Sequence, residues 1–330
     1  MIRIQSPTRV DLAGGTLDLW PLYAFLGPSV TVNLAINLFT EVELSERNDR
    51  RIHVHSVDQN WTYEFADLAA LQVDPRSQLA LVKVVTEHFK PERGFNLKLY
   101  SQSPIGGGLG GSSSLVISLI KAFTKWTCCI VEPDRAIRLA KNLEAQLLRT
   151  PTGTQDYFPP IYGGLNVIYY GMDEVQTECL DRQDEVNERM VLVYTGRSHN
   201  SGINNWQVLK KAVEGDEEVL EALRGIQITA QKVAAVCQTA RWDQLGPLLR
   251  DEYHWRLKLT PAFSSPEIEA LARLGHEAGA EAIKICGAGG GGCVFLWCAP
   301  EKRQRVVDAC SKNQFQVLAA ETVAPLVVNA

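Results

Sequence analysis

Apolar and polar positions alternate with a period of two in several short stretches of the chain, and recur with helical spacing in longer ones. "SVTVNLAINLFTEVEL" (Ser29–Leu44) is rich in β-branched residues and partly alternates, which predicts one or two strands. "RIHVHSV" and "FNLKLYS" predict further strands. In the second, Phe95, Leu97 and Leu99 alternate with Asn96, Lys98 and Tyr100, the pattern of a half-buried sheet. "LNVIYY", "RMVLVYTG", "AIKIC", "VFLWC" and the closing "FQVLAAETVA" read the same way. Helical spacing appears in Leu115, Leu119, Ile120 and Phe123 of "LVISLIKAFTKW", and again in the amphipathic stretch Pro133–Arg149, which ends near Pro151. Further helices are predicted at roughly 201–214, 216–239, 241–250, 265–278 and 301–312. Strands and helices mix in both halves, so the fold class is α+β. The polar stretch "DRQDEVNER" predicts a boundary near residue 185, dividing the chain into 1–185 and 186–330.

Two glycine runs interrupt this pattern. "KICGAGGGGCVFLW" (Lys284–Trp297) satisfies the letters G-x-G-x-x-G through Gly287, Gly289 and Gly292. A dinucleotide-binding fingerprint must follow a strand and open a helix. Here the run is followed by "CVFLWCA", which reads as a second strand rather than a helix. The context is strand, glycine loop, strand. Standing alone, the run is equally a tight hairpin needed for packing.

The other run, "SPIGGGLGGSSSLVISL" (Ser103–Leu119), places Gly106, Gly107, Gly108, Gly110 and Gly111 before three serines and a helix. Glycines let several backbone N–H groups turn toward one anion, and a helix N-terminus adds unpaired donors and a positive dipole end. Serine hydroxyls there can cap the helix, bond phosphate oxygens or ligate Mg²⁺. The run ends Gly-Gly-Ser rather than Gly-Lys-Ser/Thr, which disfavours the P-loop class.

Composition narrows the partners. The chain has 330 residues, 33 basic and 38 acidic, and a net charge of −5. No long basic run appears, so nucleic acid is not an expected partner. An anionic ligand must be met by a local site. The N-terminus lacks a signal-peptide core and no apolar stretch is long enough to span a bilayer, so a cytoplasmic protein without membrane contact is expected. The eight cysteines form no C-x-x-C pair and no zinc-spaced cluster, which points to reduced, mostly buried thiols.

Two further segments carry candidate chemistry. "SPTRVDLAGGTLDLWP" (Ser6–Pro21) combines Arg9, a Gly-Gly turn and Asp18. "PTGTQDYFPPIYGG" holds Asp156 in a loop after the helix that carries Glu144. A helix carboxylate with a loop carboxylate suits Mg²⁺ binding and proton abstraction from a hydroxyl.

"SPTRVDLAGGTLDLW", "PIGGGLGGSSS" and "KICGAGGGGCVF", in this order and at these separations, resemble the three motifs of the GHMP superfamily of small-molecule kinases. Within it, "DLAGGTLDL", "GTQDYFPPIYGGLN", "LVYTGRSHNS" and "KICGAGGGG" are most similar to the D-glycero-D-manno-heptose 7-phosphate kinase branch. The resemblance implies a two-domain fold: an N-terminal half like ribosomal protein S5 domain 2 and a ferredoxin-like C-terminal half, with ATP and substrate in the cleft between them. It implies ATP- and Mg²⁺-dependent phosphorylation of a hydroxyl on a small sugar or sugar phosphate, with a heptose 7-phosphate as the nearest type; a homodimer stays open. The alternatives are a mevalonate, phosphomevalonate, galactose or homoserine kinase, a diphosphate decarboxylase, or a non-catalytic sensor on the same fold.

The resemblance also distributes roles. Pro104, Gly106, Gly107, Gly108, Leu109, Gly110, Gly111, Ser112 and Ser113 fall on the ATP-phosphate loop, and Ser112 with Glu144 on the Mg²⁺ ligands. Asp156 falls on the base or hydroxyl-orienting residue and Arg9 on the cation beside the transferring phosphoryl group. Thr16 and Asp18 fall on the sugar subsite, and Gly287, Ala288, Gly289 and Gly290 on the loop that closes over the substrate. Three departures stand out. Gly111 replaces the first serine of the usual pair. Thr154 precedes Gln155-Asp156 where the branch has lysine. Thr16-Leu17 replaces Gly-Thr, so Leu17 and Trp20 set this sugar subsite apart. A phosphate on the substrate would need a basic partner, for which Arg197 and His199 are the candidates.

Overall fold

The computed structural model describes residues 1–129, 131–198, 201–287 and 289–326, and of residues 201–204 the backbone alone. Among the described residues eleven strands form two sheets: β1 (Ile2–Ala13), β2 (Ser29–Glu46), β3 (Ile52–Ser56), β4 (Trp61–Phe65), β5 (Phe95–Ser101), β6 (Leu165–Tyr170), β7 (Val175–Leu180), β8 (Met190–Tyr194), β9 (Ala280–Ile285), β10 (Cys293–Cys298) and β11 (Gln316–Leu318). The longer helices are α1 (Ala80–Phe89), α2 (Gly111–Trp126), α3 (Pro133–Leu148), α4 (Ser201–Val213), α5 (Glu217–Thr239), α6 (Leu245–Leu259), α7 (Pro266–Ala278) and α8 (Pro300–Lys312).

The first sheet runs β4-β3-β5-β2-β6-β7, with β1 also paired to β2. Ser29–Leu44 is one strand rather than two and extends to Glu46. Its first half pairs with β6 and its second half with β5, while β1 follows it along nearly the whole length. Among the described residues only the β3–β5 pair is parallel. β1 is absent from the hydrophobic pattern because its inner half buries polar residues, among them Ser6, Thr8, Arg9 and Asp11.

The second sheet has the order β11-β8-β10-β9 with every pair antiparallel. Numbered by appearance within this half, the order is 4-1-3-2 with helices after the first and third strands, the ferredoxin-like arrangement. The predicted helix at 241–250 instead begins at Leu245 and continues to Leu259. "DRQDEVNER" joins the last strand of the first sheet to the first strand of the second, through a helical turn at Gln183–Asn187 that buries Val186. Of "FQVLAAETVA" only Gln316–Leu318 is strand. The residues after it cross to the first sheet, where Val323 N bonds Ala35 O and Gly164 N bonds Val323 O, both at 2.9 Å.

Three apolar clusters hold the layers. One fills the space between the first sheet and α1, α2 and α3. A second joins the two sheets to α5 and α6, from Val10, Leu12 and Val32 to Phe295 and Trp297. A third packs α4, α5, α7 and α8 on the second sheet. Cys237, Cys286, Cys293, Cys298 and Cys310 are buried as small apolar residues. Among the described residues no helix is long and apolar enough to cross a membrane.

Candidate active site

A cleft of about 430 Å³ opens where β1, the run Pro104–Ser113, α3 and the loop before Tyr157 converge. Residues two apart on a strand share a face, so β1 presents both Arg9 and Asp11 to the cleft. The Arg9 guanidinium donates to both Asp156 oxygens, Nε to Oδ1 at 2.7 Å and Nη2 to Oδ2 at 2.8 Å. Its Nη1 donates to Cys286 O at 2.6 Å and to Gly108 O. One side chain therefore ties the first motif to the glycine–serine run, the Asp156 loop and the third glycine loop. Burial works against its charge, but Asp156 and Asp11 more than offset this and hold its pKa above the usual value.

The run Pro104–Ser113 folds as its glycines dictate. Gly110 caps α2 at φ +68°, in the left-handed region. A Cβ there would lie 3.3 Å from Arg9 Cγ and 3.4 Å from Asp156 Oδ2. The helix starts at Gly111, earlier than its apolar spacing predicts, so the three serines occupy its first turn. The first intrahelical bond is Ser114 N to Gly110 O. The N–H groups of Gly111, Ser112 and Ser113 thus precede it and face outward from the helix end.

Glu144 on α3 closes this end. Ser112 Oγ donates to its Oε1 at 2.7 Å and Ser113 Oγ to its Oε2 at 2.6 Å. Burial, chiefly, raises the Glu144 pKa, against these hydroxyl bonds and one from Tyr157. A dication beside Ser112 and Glu144 would offset that buried charge, and the donor set is oxygen alone, which suits Mg²⁺. Among the described residues no cluster of three or more His, Cys, Asp or Glu forms a cage. Mg²⁺ does not require one, since it keeps waters and takes substrate phosphates as ligands.

At the other end of the cleft, Asp18 accepts the backbone N–H of Gln155 at 3.0 Å, next to Asp156. Its pKa is pushed up to about 6, by burial above all, with the charges of Asp156 and Asp11 adding. Thr16, also in the cleft, donates to Asn205 on α4 at 3.1 Å.

The structure thus brings together Arg9, Thr16, Asp18, the run Pro104–Ser113, Glu144, Asp156 and Gly287. It separates four expected residues from them. Gly289 and Gly290 do not line the cleft; they pack on the turn Pro261–Phe263, where a Cβ on Gly289 would stand 2.4 Å from Phe263 Cα. Arg197 does not line it either: its side chain is 60 % exposed and pairs with Glu267 on α7 at 3.1 Å. Leu17 is fully buried in the core beneath the second sheet and does not line the cleft. Ala288 and His199 lie outside the described residues.

Sequence reasoning missed Asp11, Asn205 and Arg256, which also line the cleft, and Lys284, whose Nζ meets Asp11 Oδ2 at 2.8 Å. It also missed the apolar part of the lining, with Trp61, Leu81, Tyr100 and Ile105. The Glu252–Arg256 spacing of four was the one available signal, and it reads as an exposed helical ion pair.

The sequence profile of the GHMP kinases N terminal domain matches residues 78–164, and that of the GHMP kinases C terminal domain matches 233–316. The D-glycero-alpha-D-manno-heptose 7-phosphate kinase of Campylobacter jejuni is 30% identical over 321 residues, covering 95% of this chain and 94% of that protein. Two solved structures share the fold. A D-glycero-D-manno-heptose 1-phosphate kinase from Bacteroides thetaiotaomicron superposes with TM-score 0.79 at 23% identity, over 98% of this chain and 97% of its own. Lactococcus lactis galactokinase complexed with galactose gives TM-score 0.78 at 18% identity, over 98% and 93%. With both domain profiles matched in order, a near full-length relative, and three motif loops converging on one cleft, the chain belongs to the GHMP kinases, a family of ATP-dependent phosphotransferases.

Proposed function

We propose that this protein transfers the terminal phosphoryl group of ATP to a hydroxyl of a small sugar or sugar phosphate, with a D-glycero-D-manno-heptose 7-phosphate as the nearest type. The observation that carries the reading is the Arg9–Asp156 fork, set between the phosphate loop on one side and Asp18 on the other. The apolar lining at Trp61, Leu81 and Tyr100 suits a nucleobase, and the outward N–H groups of Gly111–Ser113 suit its phosphates.

Each residue then has a task. The bonds of Arg9 use four of its five N–H donors, leaving one on Nη2 for the transferring group. Asp156, held by that fork, orients the acceptor hydroxyl and takes its proton. Asp18 accepts from sugar hydroxyls. Ser112 and Glu144 would hold Mg²⁺, which supplies neutralising charge to the phosphates. Gly287 borders the acceptor, and residues 1–185 and 186–330 form the two lobes. Rate enhancement here is mostly positioning and electrostatics.

A panel of heptose phosphates, hexoses, mevalonate, phosphomevalonate and homoserine, read by ADP release with Mg²⁺, tests the proposal. Turnover of a sugar or sugar phosphate is expected. Turnover of mevalonate or homoserine alone would overturn the substrate class. Tight ATP binding without ADP release from any member would favour a sensor.

A further inference from the structure

The phosphoryl-transfer roles above leave one cleft cation unused. Arg256 lies on α6, is 2 % exposed and lines the cleft. Its Nη2 donates to Gly15 O at 3.0 Å and its Nη1 to Thr16 Oγ1 at 3.4 Å, across 241 and 240 positions of sequence. Its charge is met by Glu252, bonded through Nε at 3.2 Å and through Nη2, and by Asp11 at 3.9 Å. Lys284 bonds Asp11 at 2.8 Å and stands 3.7 Å from Glu252. Two cations and two carboxylates are thereby buried together without net charge.

The turn that Arg256 grips is one that needs gripping. Thr16 adopts φ +82°, a left-handed conformation that is strained for a residue with a Cβ. Within the turn, Leu17 N bonds Gly14 O at 3.0 Å and Leu19 N bonds Thr16 O at 3.2 Å, with Asp18 between them. Two groups from the C-terminal half, Asn205 and Arg256, hold Thr16 from outside. A planar fork can serve Glu252, Gly15 O and Thr16 at once; a lysine ammonium on a flexible stem cannot reproduce that geometry.

We propose that Arg256 is a positioning residue for the acceptor subsite: it locks the turn Gly14–Leu19 so that Thr16 and Asp18 face the acceptor. The proposal rests on Asp18 being an acceptor contact. Breaking a buried pair leaves a lone charge, so two variants are compared with wild type: Arg256→Lys, and Arg256→Met combined with Glu252→Gln, which stays neutral.

The first readout is amide hydrogen exchange in peptides covering residues 14–19 and 104–111. Both variants are expected to exchange about tenfold faster in 14–19, with 104–111 unchanged. The second is kinetics with D-glycero-D-manno-heptose 7-phosphate, where the sugar KM should rise about tenfold while kcat and the ATP KM stay within about twofold. Unchanged exchange in 14–19, or faster exchange across the whole chain in both variants, overturns the positioning role. If wild type does not use this sugar, the heptose 7-phosphate assignment falls, and the exchange comparison still decides the role of Arg256.

Discussion

Arg9 and Asp156 stand 147 positions apart and meet through two parallel bonds of 2.7 and 2.8 Å. Such a fork fixes the plane of the carboxylate as well as its distance. Asp156→Ala is expected to lower kcat by about 10³-fold or more, because both proton acceptance and hydroxyl orientation are lost. ATP should still bind, seen as an ATP-dependent rise in Tm. Near wild-type turnover in this variant would remove Asp156 from the chemistry.

Glu144 keeps its two oxygens on Ser112 and Ser113 while burial raises its pKa. Glu144→Gln keeps the shape and removes the charge. The Mg²⁺ concentration for half-maximal ADP release should rise about 10–100-fold. Stability should hold or increase slightly, since a buried charge is gone. An unshifted Mg²⁺ titration would show that the ion is held elsewhere.

Asp18 has a native pKa of about 6, above the usual aspartate range. An acid with a raised native pKa contributes stability that is full below about pH 4 and is lost as pH climbs through about 6. Asp18→Asn should therefore be more stable than wild type near pH 8, by at most about 3 kcal/mol, with the gap closing toward pH 4. Urea midpoints across this range measure it. In wild type, the acceptor KM should rise as pH falls below about 6, because a neutral Asp18 is the poorer acceptor.

Gly289 combines φ +76° with Phe263 Cα at 2.4 Å from where a Cβ would go. The sequence suggests a loop that closes on substrate, for which Gly289→Val would lose activity with the fold intact. The packing predicts otherwise: Gly289→Val should lose about 2–4 kcal/mol of stability, read as a lower denaturation midpoint.

The parts of this site that were legible in the sequence are the local ones. A glycine run before a helix states its own conformation, so Pro104–Ser113 could be placed without knowing its neighbours. Arg9, Asp18 and Asp156 were reachable because each sits in a short motif, and Glu144 because it lies on the amphipathic helix just before the Asp156 loop. Long-range electrostatics left no such trace. Arg256 reads as half of an i,i+4 surface pair, and its burial depends on β1 and β9, which are remote in sequence. Arg197 shows the converse. Its place after a strand end suggested the cleft, but Glu267 on α7 captures the side chain on the surface. Apolar spacing also hid β1, whose inner half is polar because it faces the site.

The return of residues after β11 to β2 bears on how the protein is made. Glu321 N bonds Asn37 Oδ1 across 284 positions, and Thr322 bridges Ile36. The sheet that carries Arg9 thus borrows its last hydrogen bonds from sequence synthesised long after the sheet itself. A nascent chain emerging from the ribosome would present β2 with open acceptors until that distant segment arrives. Kinase activity should consequently appear late in translation, and a premature stop after β10 should yield a product with most of the motifs and little of the enzyme.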